Sequence, residues 1–189
     1  MSAKAQAIPP VAGPGAPLHL PLAATQPDAA TLAALATDWQ ETWQGDVRHV
    51  EVVRDVPDPR FTVIVIAYRS KEFLFKCLDC VRASPLPAGV TLELIVADCG
   101  GIDGLRPGLR ERCDRILTLT PDIGLNPARN ASLAHARGDI VALLDDDGEV
   151  EADYIGKVLR YFDDPAILAL RGRIVFKDHR YFTTLASHY

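Results

Sequence analysis

The apolar run Phe61-Thr62-Val63-Ile64-Val65-Ile66-Ala67 constrains the fold more than any other feature of this 189-residue sequence. A strand that is apolar on both faces lies between two covering layers, as in parallel sheets flanked by helices. Similar apolar runs follow at residues 92–97, 116–120 and 140–144. Segments with helical spacing separate most of these runs. We therefore predict an α/β domain with a mostly parallel sheet and helices on both faces.

Helices are predicted where apolar residues recur three and four positions apart. Two such sets are Phe73, Leu74, Cys77, Leu78 and Val81, and then Ile155, Val158, Leu159 and Phe162. A further helix is predicted to start with Asn126 as N-cap and Pro127 at the first helical position, and to end at Gly138. An edge strand is expected at residues 50–53, and one or two more strands at 167–176.

The first part of the chain has a different composition from the rest. Residues 1–27 are rich in Ala and Pro, which predicts a linker or extended arm. A helical face follows, formed by Leu32, Leu35, Trp39 and Trp43. The two Trp side chains are expected to pack this helix onto the main domain or onto another part of a larger assembly. We therefore predict an arm with an amphipathic helix over residues 1–47 and the main domain over 48–189.

Composition excludes several classes of protein. Hydrophobic residues make up 48% of the chain, which is typical of a globular protein. The net charge of −5 argues against a nucleic-acid-binding surface. No run approaches the roughly 18 apolar residues of a membrane span, and the N-terminus has no apolar signal core. We expect a cytoplasmic protein. Cys77 and Cys80 have a zinc-like spacing, but no second pair follows, so we expect both to be structural.

Three consecutive carboxylates, Asp145, Asp146 and Asp147, follow the apolar run at 140–144. Ligands of open α/β sheets bind at the carboxyl ends of the strands. In an extended chain, Asp145 and Asp147 point to the same side, where they could share Mg²⁺ or Mn²⁺. A solvated acidic turn remains the alternative, because the acidic stretch continues to Asp153.

The ends of two other predicted strands also carry polar groups. One run ends at Tyr68-Arg69-Ser70 and the next at Asp98, and Arg129 and Asn130 are expected in the first turn of the helix before the acidic strand. With the segments 65–68, 95–98, 124–130 and 138–147, in this order, the stretch from 61 to 153 resembles the donor-binding half of the family 2 glycosyltransferases. That resemblance implies the GT-A fold, in which a Rossmann-like half binds a nucleotide sugar.

The resemblance also implies a role for each matching residue. Asp98 would bind the base, typically uracil, Tyr68 would line the nucleotide pocket, and Arg129 would position Asp98 and the nucleotide. Asp145 would lie near the ribose, and Asp147, with Asp145, would hold the Mn²⁺ or Mg²⁺ that bridges the diphosphate. The nucleotide-sugar site predicted in this way comprises Ala67, Tyr68, Asp98, Arg129, Asp145 and Asp146. Ala67 replaces a hydroxyl residue that the family usually has there.

The resemblance does not extend to the catalytic base. In this family the base and the acceptor-binding region lie farther along the chain, and Asp178 is the only late carboxylate, at a position that does not fit. We therefore expect a donor half that a missing C-terminal region or a partner protein would complete. The acceptor would be an unknown glycan, lipid or protein.

Three functions follow from these residues. The first is a metal-dependent, inverting glycosyltransferase that uses a nucleotide-diphosphate sugar, with UDP as the expected nucleotide. The second is a non-catalytic module that binds a nucleotide sugar or serves in assembly. The third is a dinucleotide-dependent oxidoreductase, suggested by the glycine-rich loop at 99–104. The missing acidic residue after the next strand, at Thr118-Leu119-Thr120, disfavours the third.

Overall fold

The computed structural model describes residues 45–174 and six isolated positions before them, 28, 30, 33, 34, 37 and 43. Two compact units are distinguished, Met1–Ala36 and Thr37–Tyr189. The predicted arm over 1–27 lies outside the described residues, and so do Leu32, Leu35 and Trp39. The domain boundary at residue 48 therefore stays a prediction. Within the described part of the chain, no helix combines the length and the apolar composition that crossing a membrane requires.

In the described part of the chain, five strands form one sheet in the order β1-β4-β3-β2-β5. Their bounds are β1 Val47–Val52, β2 Phe61–Ala67, β3 Leu92–Asp98, β4 Arg115–Leu119 and β5 Ile140–Asp145. All neighbouring pairs are parallel except β1 with β4, so β1 is the antiparallel edge strand. Every residue of β2 and β3 is buried. The apolar runs therefore predict these strands correctly, and the mostly parallel sheet is confirmed.

Within residues 45–174, four helices cover the two faces of this sheet. They are α1 Phe73–Ala83, α2 Arg106–Arg112, α3 Leu125–Leu133 and α4 Tyr154–Tyr161. Residues of α1, α2 and α4 share one core cluster with Val63 and Val65 of β2. On the opposite face, α3 packs with Ile64 and Ile66, and Trp43 packs against this second cluster. Helices on both faces are thus confirmed, as is the packing role of Trp43.

The predicted limits of α3 are wrong. Gly124, with a φ of 91°, is the N-cap, and Asn126 and Pro127 are the second and third helical residues. Pro is tolerated there because the first N–H groups of a helix have no intrahelical partner. The helix ends at Leu133 and not at Gly138, because the following N–H groups of residues 135 and 136 form tighter, three-residue turns with carbonyls 132 and 133. Arg129 and Asn130 consequently lie in the second turn.

Two further expectations about secondary structure differ from the structure. Helix α2 is not predicted, because Pro107 and Gly108 stand in its first turn. A Cβ at position 108 would lie 2.7 Å from Cζ of Phe75 on α1, so glycine allows this ring to lie against the helix. The strands expected at 167–176 are absent from residues 167–174, which are irregular, and 175–176 lie outside the described residues.

Candidate functional site

The register of the sheet brings the predicted site residues together. Ala67 of β2 is paired with Asp98 of β3, and Ile66 is paired with Asp145 of β5. Three neighbouring parallel strands thus end at the same level, as expected for a ligand site in an open α/β sheet. Ala67 itself is fully buried in the core. The side chain of Ala67 lines neither of the depressions described below, and its place in the site stays a prediction.

A cavity of about 390 Å³ opens at this edge of the sheet. The loops after β2, β3 and β4 form its walls, with Tyr68, Arg69, Asp98, Gly100, Gly101, Asp103, Arg106, Thr118, Leu119, Pro121 and Asp122. The glycine-rich segment thus forms one wall of the cavity and leads into a short 3₁₀ turn at Asp103–Leu105. The volume of the cavity lies within the range typical of small-molecule sites.

Asp98 is anchored within the chain from two directions. Its Oδ1 accepts a hydrogen bond from the backbone N–H of Gly100 at 2.9 Å, and its Oδ2 accepts one from Nη2 of Arg106 at 2.5 Å. The same Nη2 lies 3.0 Å from Oγ1 of Thr118. Arg106, and not Arg129, therefore positions Asp98. Sequence reasoning missed Arg106 because α2 was not predicted, and its contacts join three elements distant in sequence.

The backbone around the cavity has several left-handed conformations. Arg69 and Asp122 have φ angles of 50° and 57°, and Gly100 and Gly101 have φ angles of 113° and 79°. Residues other than glycine rarely adopt such angles, and they persist where surrounding contacts impose them. One such contact is the hydrogen bond from Arg69 N–H to the carbonyl of Gly100, at 2.9 Å. The loops after β2 and β3 therefore form a fixed wall.

Tyr68 is the exposed aromatic residue of the larger cavity, with 46% of its surface accessible. The guanidinium carbon of Arg69 lies 4.9 Å from the centre of its ring, within cation–π distance. A hydrogen bond with Asp122 raises the pKa of the Tyr68 hydroxyl, so the group stays protonated at neutral pH. Tyr68 thus presents a neutral ring at the mouth of the cavity.

A second depression of about 270 Å³ adjoins the first and shares Tyr68 and Arg69 with it. Its other lining residues are Ser70, Lys71, Phe73, Asp146 and Asp147. The chain turns immediately after β5, because Gly148 N–H donates to the carbonyl of Asp145 at 3.1 Å. The extended geometry that predicted Asp145 and Asp147 on one side is therefore wrong. Asp146 and Asp147 line the depression together, and Asp145 does not.

The three aspartates differ in their partners. Asp145 pairs with Nη2 of Arg129 at 2.9 Å, and Asp146 accepts a hydrogen bond from Ser70. Among the described residues, no hydrogen bond or ion pair engages Asp147. No group of three or more His, Cys, Asp or Glu residues that could hold a metal lies in the described ranges. Carboxylates from this turn fit Mg²⁺ or Mn²⁺ only if ligand oxygens or water complete the coordination.

The fold belongs to a known class of enzymes. A mannosyltransferase from Pyrobaculum calidifontis, solved with GDP-Man and Mn²⁺, aligns with a TM-score of 0.52 and 24% identity, over 73% of this chain and 44% of that one. The α/β sheet has a cavity at its carboxyl edge. Together with this likeness, that architecture identifies the GT-A fold of glycosyltransferases. The family model described as glycosyl transferase family 2 matches residues 62–189. The chain belongs to that family.

Curated relatives agree with this assignment. Glycosyltransferase GlyA of Streptococcus pneumoniae is 30% identical over 118 residues, which cover 58% of this chain and 16% of that protein. The succinoglycan biosynthesis protein ExoO of Rhizobium meliloti is 30% identical over 108 residues, which cover 56% of this chain and 30% of that protein. The chain thus spans less than a third of the length of either relative.

Proposed function

We propose that this chain is the donor-binding half of a glycosyltransferase that uses a nucleoside-diphosphate sugar. One observation carries the proposal: two adjoining depressions at the carboxyl ends of β2, β3 and β5 share Tyr68 and Arg69. A buried carboxylate, Asp98, lies in the first depression, and two carboxylates of an acidic turn line the second. A ligand with a nucleoside at one end and a charged diphosphate at the other matches this arrangement.

The larger cavity is assigned to the nucleoside. Tyr68 offers an aromatic ring on which the nucleoside would pack, and Asp98 and Arg106 offer a fixed acceptor and donor. Aromatic contact adds affinity, and polar groups held in fixed positions add selectivity. We assign uridine to this cavity, as the family resemblance implies. The mannosyltransferase that shares the fold was solved with GDP-Man, so guanosine is the competing ligand to test.

The second depression is assigned to the diphosphate and a divalent cation. Arg69 and Lys71 supply positive charge beside the carboxylates of Asp146 and Asp147. Because Asp145 is held by Arg129 and Asp146 by Ser70, Asp147 is the carboxylate we assign as the principal metal ligand. Asp145, kept in place by Arg129, is assigned to the ribose side. A bound Mn²⁺ or Mg²⁺ would offset the negative charge that develops on the leaving diphosphate.

We propose that transfer proceeds with inversion, through attack of an acceptor hydroxyl on the anomeric carbon. Such a reaction needs a general base, and a carboxylate within hydrogen-bonding distance of the attacking hydroxyl is suited to that role. The base is not assigned to a residue of this chain, and Asp178 lies outside the described residues. The acceptor, whether glycan, lipid or protein, would contact parts other than the site described.

Titration calorimetry of the chain tests donor binding. We expect UDP to bind more tightly with Mn²⁺ than without it, and more tightly than GDP or dTDP. Asp147→Asn should remove most of the gain from Mn²⁺ while leaving metal-free UDP binding intact. Asp139→Asn is the matched control, because Asp139 is an exposed carboxylate at the opposite end of β5. An unchanged Mn²⁺ effect in Asp147→Asn would refute its role, and no binding of any nucleotide would refute the proposal.

A second candidate is a module that binds the nucleotide sugar without transferring it. Every residue assigned above serves the donor and none serves as the base, which favours this candidate. Incubation with a panel of UDP-sugars and Mn²⁺, including slow hydrolysis, separates the two functions. Release of UDP by the wild type but not by Asp147→Asn supports the enzyme. Tight binding with no release supports the module. The family assignment argues against the oxidoreductase alternative.

A further inference from the structure

We infer that Arg106 is the residue that selects the nucleobase, by donating a hydrogen bond to an exocyclic carbonyl oxygen of the base. The inference rests on the proposed function, because it concerns the same cavity. It adds to that function a specificity residue outside the sequence motifs and a rule for which nucleobases the cavity accepts. The rule favours bases with an exocyclic oxygen over those with an exocyclic amine in the same place.

The orientation of the Arg106 guanidinium is fixed by contacts from several elements. Nη2 lies 2.5 Å from Asp98 of β3 and 3.0 Å from Thr118 of β4. Nη1 lies 3.6 Å from Oε2 of Glu51 on β1, and Nε lies 3.5 Å from Asp103. A planar group held in this way cannot turn to suit a ligand at low cost. The ligand must therefore match the donors of Arg106.

Asp98 and Arg106 differ in how far a ligand can reach them. The side chain of Asp98 is 4% accessible, and both of its oxygens already accept hydrogen bonds from Gly100 and Arg106. The side chain of Arg106 is 20% accessible and lines the same cavity. Arg106 is therefore the more accessible member of the pair. Asp98 holds Arg106 in place, and its carboxylate keeps lone pairs that can still accept from the ligand.

The chemistry of the guanidinium sets the preference among bases. Arginine has five N–H donors and no acceptor, and it keeps its charge at any pH of interest. Uracil presents a carbonyl oxygen where cytosine presents an amine, and the two rings are alike in size. An amine facing Arg106 would place one donor against another with no acceptor between them, which is a costly arrangement. We expect the wild type to bind UDP at least about tenfold more tightly than CDP.

The test compares the ratio of UDP to CDP affinity, measured by calorimetry, in three variants of the full chain. Gln at position 106 can both donate and accept, so Arg106→Gln should bring the ratio close to one. Arg106→Lys keeps donors only and should retain a preference for UDP. Arg110→Gln is the matched control: Arg110 lies on the same helix and pairs with Glu51 at 2.5 Å, but it does not line the cavity.

The ratio separates base selection from a general loss of structure, which would weaken both nucleotides alike. A preference for UDP that Arg106→Gln removes and the other two variants keep supports the inference. An equal affinity of the wild type for UDP and CDP overturns it, even if Arg106→Gln does not fold. An unchanged ratio in Arg106→Gln also overturns it, and in both cases the proposed function stands. If UDP and CDP do not bind the wild type, the inference is overturned, and the proposed function fails as well only if GDP and dTDP also do not bind.

Discussion

Strand β3 carries one buried carboxylate near each end, and the two have different surroundings. Glu93, its second residue, is fully buried, and Asp98, its last residue, is 3% exposed. Glu93 is surrounded by cationic and hydroxyl groups of the chain with no adjoining cavity among those described, whereas Asp98 lines one. The same local chemistry thus supports the fold at one end of a strand and supports a ligand site at the other.

At the amino end of the sheet, two buried carboxylates are paired with cationic and hydrogen-bonding groups of the chain. Glu93 accepts hydrogen bonds from Thr62 at 3.0 Å, Arg137 at 2.8 Å and Arg115 at 3.3 Å. Asp114, also fully buried, is held by Arg82 at 2.6 Å and by the backbone N–H of residue 94 at 2.8 Å. Buried charges are tolerated when they are paired in this way. These clusters are therefore structural.

The largest effect on stability is expected from Glu93→Ala. The change leaves Arg115 buried without its counter-ion, and breaking a buried pair from one side costs about 3–5 kcal/mol. The free energy of unfolding, measured in urea, should fall by that amount. Asp139→Asn is the control, since the pair of Arg60 and Asp139 is exposed and worth less than about 1 kcal/mol. Equal losses in the two variants would contradict the contrast between buried and exposed pairs.

The next largest effect is expected from Gly138→Ala, at the same end of the sheet. A Cβ at position 138 would lie 2.7 Å from both N and Oγ1 of Thr62. Overpacking of this kind costs about 1–3 kcal/mol in unfolding free energy. Gly156→Ala is the opposite control, because no atom lies within 4 Å of a Cβ there and the residue is inside α4. That variant should gain about 0.5–1 kcal/mol from helix propensity, and chemical denaturation measures both.

Gly138 also shows where sequence reasoning succeeds and where it stops. Continuous apolar runs predict β2 and β3, because each of these strands is buried on both faces along its whole length. The run at 140–144 also predicts β5, but β5 is an edge strand in which only Ile140 is buried. Gly138 was predicted as a helix cap. Its N–H instead donates a hydrogen bond to Oγ1 of Thr62, which lies 76 residues away in the sequence. Arg106 was missed for the same reason, since its partners lie on β1, β3 and β4. Contacts between segments distant in sequence leave no periodic signal in either segment.

The acidic motif illustrates the same limit within a few residues. The run at 140–144 places Asp145 at the end of a strand, and the structure confirms this position. The turn that follows depends on the hydrogen bond from Gly148 N–H to Asp145, and it separates the three carboxylates into different environments. The prediction that the chain stays extended is wrong beyond Asp145, the last residue of β5. Sequence alone therefore located the cluster but did not assign its members.

A smaller effect is expected from Gly101→Ala at the carboxyl end. Gly101 has a φ of 79°, and a Cβ there would lie 3.2 Å from Cα of Arg69. The strain should lower the free energy of unfolding by about 1–2 kcal/mol and weaken UDP binding through displacement of the cavity wall. Gly104→Ala, in the same loop with open space around it, should change neither quantity. Identical behaviour of the two variants in unfolding and calorimetry would show that this wall is not fixed.

The smallest effect is expected from Asp145→Asn, which completes the contrast with Glu93. Asp145 pairs with Arg129, but its side chain is 61% exposed, and exposed pairs contribute about 0–1 kcal/mol. Removing its charge also relieves repulsion from Asp146 and Asp147, so the free energy of unfolding should change by less than about 0.5 kcal/mol. Binding of UDP with Mn²⁺ should nevertheless weaken in the same variant. We expect this result for a site residue, because its carboxylate contributes to ligand binding and not to the fold. A loss of stability comparable to that of Glu93→Ala would instead place Asp145 with the structural carboxylates.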